Sequence, residues 1–164
     1  MDRIETKRFV LRRFIAEDWR DFQELGIDWQ AAPGPAFDKW PTSEEASKSS
    51  VEYMSTSDNY FAMCVRGSGK VVGLLAINGI DDEQRLDLGH VILSRYQDND
   101  QDKEAIEALL QHGFDTQGVR LVITHNASDH AAQFAPLKSL GFTNRNPRDA
   151  GEWVITREDW EERR

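Results

Sequence analysis

One cysteine, Cys64, is all that the sequence holds, so no intrachain disulfide can form, which fits a reducing compartment. Within the strand-like run 60–66 it is expected to be a small buried hydrophobe, because a nucleophilic thiol needs an activating base. No apolar run is long enough to span a bilayer, and the opening Met-Asp-Arg-Ile-Glu-Thr-Lys-Arg has charges where a signal peptide needs an apolar stretch. The expectation is a soluble, cytoplasmic chain with no membrane partner. Basic charge is also in short supply, with 20 Lys and Arg against 29 Asp and Glu, a formal net charge of −9 and a sequence pI of about 4.9. Such a surface repels nucleic-acid phosphates, so a generic nucleic-acid binder is excluded and a cationic partner, an amine or a basic peptide, is favoured. Repeats and low-complexity segments are missing as well.

What is present suffices for a core: 164 residues, 39% of them hydrophobic and 10% aromatic, the size of one ordinary domain spanning 1–164. The chain is organised around residues 86–114. Apolar residues alternate and then merge into Val91-Ile92-Leu93, the pattern of a central strand covered on both faces. An acidic loop follows, and then Ile106, Leu109, Leu110, Gly113 and Phe114 recur at helical spacing on one face. A helix start leaves free N–H groups facing the loop's mouth, ordinarily an anion site. Here the loop is itself anionic, with Asp98, Asp100 and Asp102 alternating and Glu104 next. Carboxylates there are expected to cap the helix and oppose its dipole. The alternative is a cation site, although no calcium loop is spelled out: Lys103 stands where the sharp-turn Gly belongs and Leu109 where the bidentate Glu belongs.

The flanking segments read as follows. Residues 8–14 form a first strand, and 16–25 a short amphipathic helix that Gly26 is placed to end. Residues 27–41 are irregular, with Trp29, Phe37 and Trp40 interleaved among prolines and expected to dock the loop onto the core. Thr42 opens a capping box with Glu45 for a helix to about Ser57, with Ala46, Val51 and Met54 on its apolar face. Residues 60–66 and 70–77 make a hairpin about Gly67-Ser68-Gly69, and Asn78-Gly79 breaks the second strand. Gly118 turns the chain into a buried strand at 119–124. A polar link over 126–130 leads to a helix-like segment at 131–140, where Pro136 is tolerable only in the first turn, and Gly141 caps it before the apolar anchor Phe142. Residues 152–156 read as a strand, with Trp160 as the docking residue of the charged end.

Several pieces resemble the GNAT superfamily of acetyl-CoA-dependent N-acetyltransferases, most closely its RimJ/RimL-like branch. Glu5-Thr6-Lys7-Arg8-Phe9-Val10-Leu11-Arg12 looks like that branch's first strand, Val72-Gly73-Leu74-Leu75-Ala76-Ile77 like its middle hairpin, and Leu88-Gly89-His90-Val91-Ile92 like its central strand. Glu104-Ala105, Leu140-Gly141-Phe142 and residues 153–160 extend the match over nearly the whole chain. The resemblance implies an α+β fold, a mixed, mostly antiparallel sheet that splays open beside the central strand and is flanked by helices. It also implies acetyl-CoA in that opening, its pantetheine on the backbone around Ile92 and Leu93 and its pyrophosphate on the N–H groups of the loop. The acceptor would be a small amine or a peptide α-amine attacking the thioester directly, and a homodimer is one implied assembly.

The family's loop pattern, Gln/Arg-x-x-Gly-x-Gly/Ala, falls on Gln97, Asp98, Asn99, Asp100, Gln101 and Asp102, with Lys103 following. Gln97 is kept, while Asp100 and Asp102 replace the two small residues, which removes room and reverses the sign of charge, so the ordinary CoA mode is impaired. Counting back from Gly141, His130 stands at the CoA-contacting Asn and Gln133 at the Ser that often follows it. Leu137 takes the place of the Tyr general acid found in many relatives, and Leu donates no proton. His130 is the candidate base, its ordinary pKa lying near neutrality. His90 faces either the core or the cleft. A GNAT-fold protein that has lost catalysis and serves as a binding or regulatory module is the alternative to the enzyme.

Overall fold

The computed structural model of the chain describes residues 3–31, 40–125, 134–146 and 151–164. Its strands are β1 (Ile4–Glu5), β2 (Phe9–Arg13), β3 (Tyr60–Val65), β4 (Val71–Ile80), β5 (Arg85–Ile92), β6 (Leu121–His125), β7 (Thr143–Asn144) and β8 (Glu152–Thr156). They form one 8-stranded sheet in the order β1-β2-β3-β4-β5-β6-β8-β7. The helices are α1 (Trp19–Ala31), α2 (Glu44–Ser55), α3 (Gln101–Gln111), α4 (Phe134–Leu140) and α5 (Arg157–Glu162). Every neighbouring pair is antiparallel except β5 and β6. The expected mixed, mostly antiparallel α+β sheet is therefore present.

The helical period puts Ala105, Ile106, Leu109 and Leu110 in the core, and α3 then loosens into a π-helical turn, His112–Thr116, that buries Gly113 and Phe114. The parallel ladder is short: Arg85–Asp87 pair with Leu121–Ile123 and nothing further does. Beyond it β5 runs on to Ile92 while β6 stays with β8 through His125. The two central strands part after Asp87, and the sheet opens there. No helix among the described residues is long and apolar enough to cross a membrane.

Some local signals resolve differently from the sequence reading. Gly26 does not end its helix, since α1 continues to Ala31. A Cβ at Gly26 would lie 2.0 Å from the Pro41 carbonyl oxygen, so the glycine serves a close crossing of chain over helix. Ser43, not Thr42, is the N-cap of α2, its hydroxyl accepting the Ala46 N–H at 3.1 Å. Asn78-Gly79 makes a bulge and not a break, with β4 paired to β5 as far as Ile80. The short strands β1 and β7 carry no periodic signal and were not expected. Gly141 caps α4 as expected, at φ +98°, with Phe142 N–H on the Leu137 carbonyl at 3.0 Å. Pro136 is the third described residue of α4 and is buried. The 126–130 link, the expected helix start at 131–133 and Phe37 lie outside the described residues.

Candidate functional site

The opening is lined first by backbone. Leu93 donates its N–H to Val72 O at 2.9 Å, and its carbonyl accepts Tyr96 N–H at 2.8 Å. Leu93 is thus committed to β4 and to the loop, contrary to its expected place on the ligand edge. Antiparallel alternation turns the backbone groups of His90 and Ile92 the other way, toward the gap left by β6. Gln97 Nε2 already donates to the Ile92 carbonyl at 2.8 Å.

Two buried polar side chains flank the gap. His90 Nε2 and Thr124 Oγ1 are without a hydrogen-bond partner among the described residues. Leu86 lies beside Val122 in the short ladder, so period-2 alternation puts His90 and Thr124 on that same sheet face. Burial holds the His90 imidazole well below its usual range, at about 4, so it is neutral at pH 7. With Ile92, Gln97, Asp102 and Pro136 it lines a cavity of ≈ 10 Å³, room for about one water. His90 is therefore a buried histidine beside the loop residues Gln97 and Asp102. Nothing in the sequence marks Thr124 or Pro136 for such a place, a β-branched strand residue and a proline both reading as structure.

The loop after β5 begins as a 3₁₀ turn, Ser94–Tyr96, pinned to α1 through Ser94 N–H on Asp28 at 3.0 Å. Asn99 and Asp100 follow at φ +53° and +59°, a left-handed conformation that Asn and Asp tolerate best among residues with a Cβ. Asp100 thus keeps a glycine-like backbone but makes no side-chain cap. Asp102 is the carboxylate that caps: Lys103 N–H donates to it at 2.8 Å, and its own amide bonds to it as well. It is 5% exposed, and burial, aided by Asp100 and Asp98, raises its pKa to about 6 against the pull of those amides. Gln101 N–H goes to Asp98 O at 3.1 Å, while Asp98 and Asn99 are exposed and Gln101 and Lys103 half-buried. Glu104 does not simply face the dipole: it takes Arg8 N–H at 2.7 Å and Arg8 Nε at 2.5 Å, and Arg8 Nη1 reaches Asn99 O at 2.9 Å. Among the described residues no group of three or more His, Cys, Asp or Glu converges as metal ligands would, and of the three aspartates Asp102 is the one whose carboxylate takes a helix-start N–H.

An extended amide chain suits the strand edge, which turns the backbone of His90 and Ile92 to the opening beside two orphaned side chains, with Gln97 standing on the Ile92 carbonyl. A diphosphate does not suit the helix start as it stands, because a carboxylate already holds the amides. His130 and Gln133 lie outside the described residues, and Leu137 is fully buried. Cys64 is buried, as expected, with burial pushing its thiol up to about 11.

On the opposite face of β4, a second cavity of ≈ 400 Å³ is lined by Phe22, Trp40, Tyr53, Met54, Tyr60 and Leu74. Leu74 is the cross-strand partner of Val91, so this cavity backs onto the central strand. Trp40 packs on Phe22 and Trp29 at 5.5 and 6.1 Å, the docking role expected of it, whereas Trp29, expected in the loop, belongs to α1.

The sequence pattern of the acetyltransferase (GNAT) domain matches residues 8–143. The uncharacterized N-acetyltransferase YnaD of Bacillus subtilis (strain 168) is 23% identical over 141 residues, 84% of this chain and 81% of that protein. Among solved structures, the GNAT-family acetyltransferase from Bacillus anthracis superposes with a TM-score of 0.78 at 18% identity, over 96% of this chain and 99% of that one. The ribosomal-protein-S5-alanine acetyltransferase from Vibrio fischeri gives 0.73 at 14% identity, over 98% and 99%. The matched residues run from the foot of β2 to the start of β7 and enclose the opening between β5 and β6; by that match the chain belongs to the acetyltransferase (GNAT) domain family.

Proposed function

We propose that the chain is an N-acetyltransferase that uses acetyl-CoA and acts on a small amine or a peptide α-amine. The observation that carries this reading is the parting of β5 from β6, which turns the backbone of His90 and Ile92 toward an opening where an extended donor can pair, once Gln97 gives up the Ile92 carbonyl. The aromatic cavity behind Leu74 and Val91 supports an acceptor side on the opposite face, and the net charge of −9 favours a cationic acceptor. A thiol-release assay with acetyl-CoA and a panel of amines and basic peptides tests it. Amine-dependent release that His130→Ala diminishes supports the reading and gives His130 its role. No release with any acceptor, and no saturable binding of acetyl-CoA, sinks it.

Two observations favour the second reading, a binding or regulatory module on the same fold. Leu137 has no proton to give, and Asp102 occupies the helix-start amides. Acetyl transfer lost on substitution in the central strand or its loop would remove that alternative.

A further inference from the structure

Two side chains lie across the places where a donor with an amide arm and a diphosphate would be held. Gln97 Nε2 sits on the Ile92 carbonyl at 2.8 Å, and the Asp102 carboxylate sits on Lys103 N–H at 2.8 Å. The first closes the strand edge and the second closes the start of α3. Both line the one-water cavity that His90 also lines, a residue 9% exposed whose Nε2 has no partner among the described residues. A ring nitrogen buried in the same cavity as a carboxylate with no bond to it marks a place built for something other than this packing. The loop is held in that arrangement from outside, by Arg8 on Glu104 and Asn99 O and by Asp28 on Ser94.

We propose that Gln97 and Asp102 form an internal plug in the donor site, filling with their own side-chain atoms the hydrogen-bonding positions that a diphosphate-bearing thioester needs. The proposal rests on the acetyl-CoA reading for the identity of that donor. Binding then requires two contacts to break, and removing the Asp102 carboxylate exposes two amides that point at the mouth of the loop. General repulsion by an acidic loop would instead be exerted equally by any of the three aspartates.

The test is calorimetric titration with inorganic diphosphate and, separately, with acetyl-CoA, comparing the parent chain with Asp102→Ala, Gln97→Ala and Asp98→Asn. Asp102→Gly is a second variant without the carboxylate. Loss of the Asp102 carboxylate is expected to tighten diphosphate by at least about tenfold, Gln97→Ala to leave diphosphate unchanged but tighten acetyl-CoA, and Asp98→Asn to do far less than Asp102→Ala. Equal tightening by Asp98→Asn and Asp102→Ala overturns the plug in favour of bulk charge, and so does failure of both Asp102 variants to gain diphosphate. Diphosphate gained without binding or turnover of acetyl-CoA leaves the plug standing and defeats the acetyl-CoA reading. A parent chain that turns over acetyl-CoA with the same KM as Asp102→Ala does the reverse.

Discussion

At the scale of single residues, Asp102 carries a conflict that shows in stability. Its carboxyl titrates at about 6 in the folded chain, against about 3.9 in an unfolded one. Between those values the folded state holds the extra proton, so this group's contribution to stability falls as pH rises from 4 to 6 and stays low above 6. Asp102→Asn keeps an acceptor for Lys103 N–H and removes the buried charge. We expect the variant to be more stable than the parent at pH 7.5, by on the order of 1–2 kcal/mol, with the gain vanishing near pH 4. Urea midpoints across that range check it, and a gain that persists at pH 4 would contradict the assignment. A sequence that places Asp at a helix start suggests an exposed cap. Burial by β5 and α4 turns it into a desolvated one, and residue spacing contains no record of that burial.

Among the elements, α1 shows how a local rule loses to a packing constraint. Glycine is the poorest helix former after proline, so Gly26 reads as a stop. The helix passes through it because the chain at Pro41 crosses too near for any Cβ, the clash distance being 2.0 Å to the Pro41 oxygen. Gly26→Ala gains about 1 kcal/mol of helix propensity, yet we expect it to destabilise by about 3 kcal/mol or more, since backbone must move to make room. A thermal melt decides the sign: a raised midpoint would mean the crossing is soft. The bulge at Asn78-Gly79 repeats the lesson, turn residues being accommodated within β4 because β5 pairs on both sides of them.

Over the whole molecule, the turn that enters β2 and the helix α3 are tied by Arg8 and Glu104, 96 residues apart in sequence. Burial pushes the Glu104 carboxyl upward, but the Arg8 hydrogen bonds outweigh it and hold the carboxyl below its usual range. The same guanidinium holds the Asn99 carbonyl, so it fixes the loop as well as the helix. Arg8→Ala is expected to cost about 1–3 kcal/mol and to speed hydrogen exchange at residues 99–104 more than in β3 and β4. Uniform loss of protection would show instead that Arg8 serves global stability alone.

The sequence by itself determined the succession of the longer strands and helices along the chain, β1 and β7 excepted, because hydrophobic period and turn chemistry are local properties. It also determined the family, since the motifs at 5–12, 72–77, 88–92 and 140–142 keep their order along the chain. The replacement of two small loop residues by Asp100 and Asp102 was legible too, and with it the change in charge. Only the tertiary structure decided that β5 and β6 part after Asp87, that His90 is buried beside Gln97 and Asp102 while the Leu93 backbone is taken by β4 and the loop, and that Asp102 and Gln97 turn inward onto backbone groups. Those outcomes depend on which strand edge is left unpaired and which side chains lose their water, and both are set by neighbours distant in sequence.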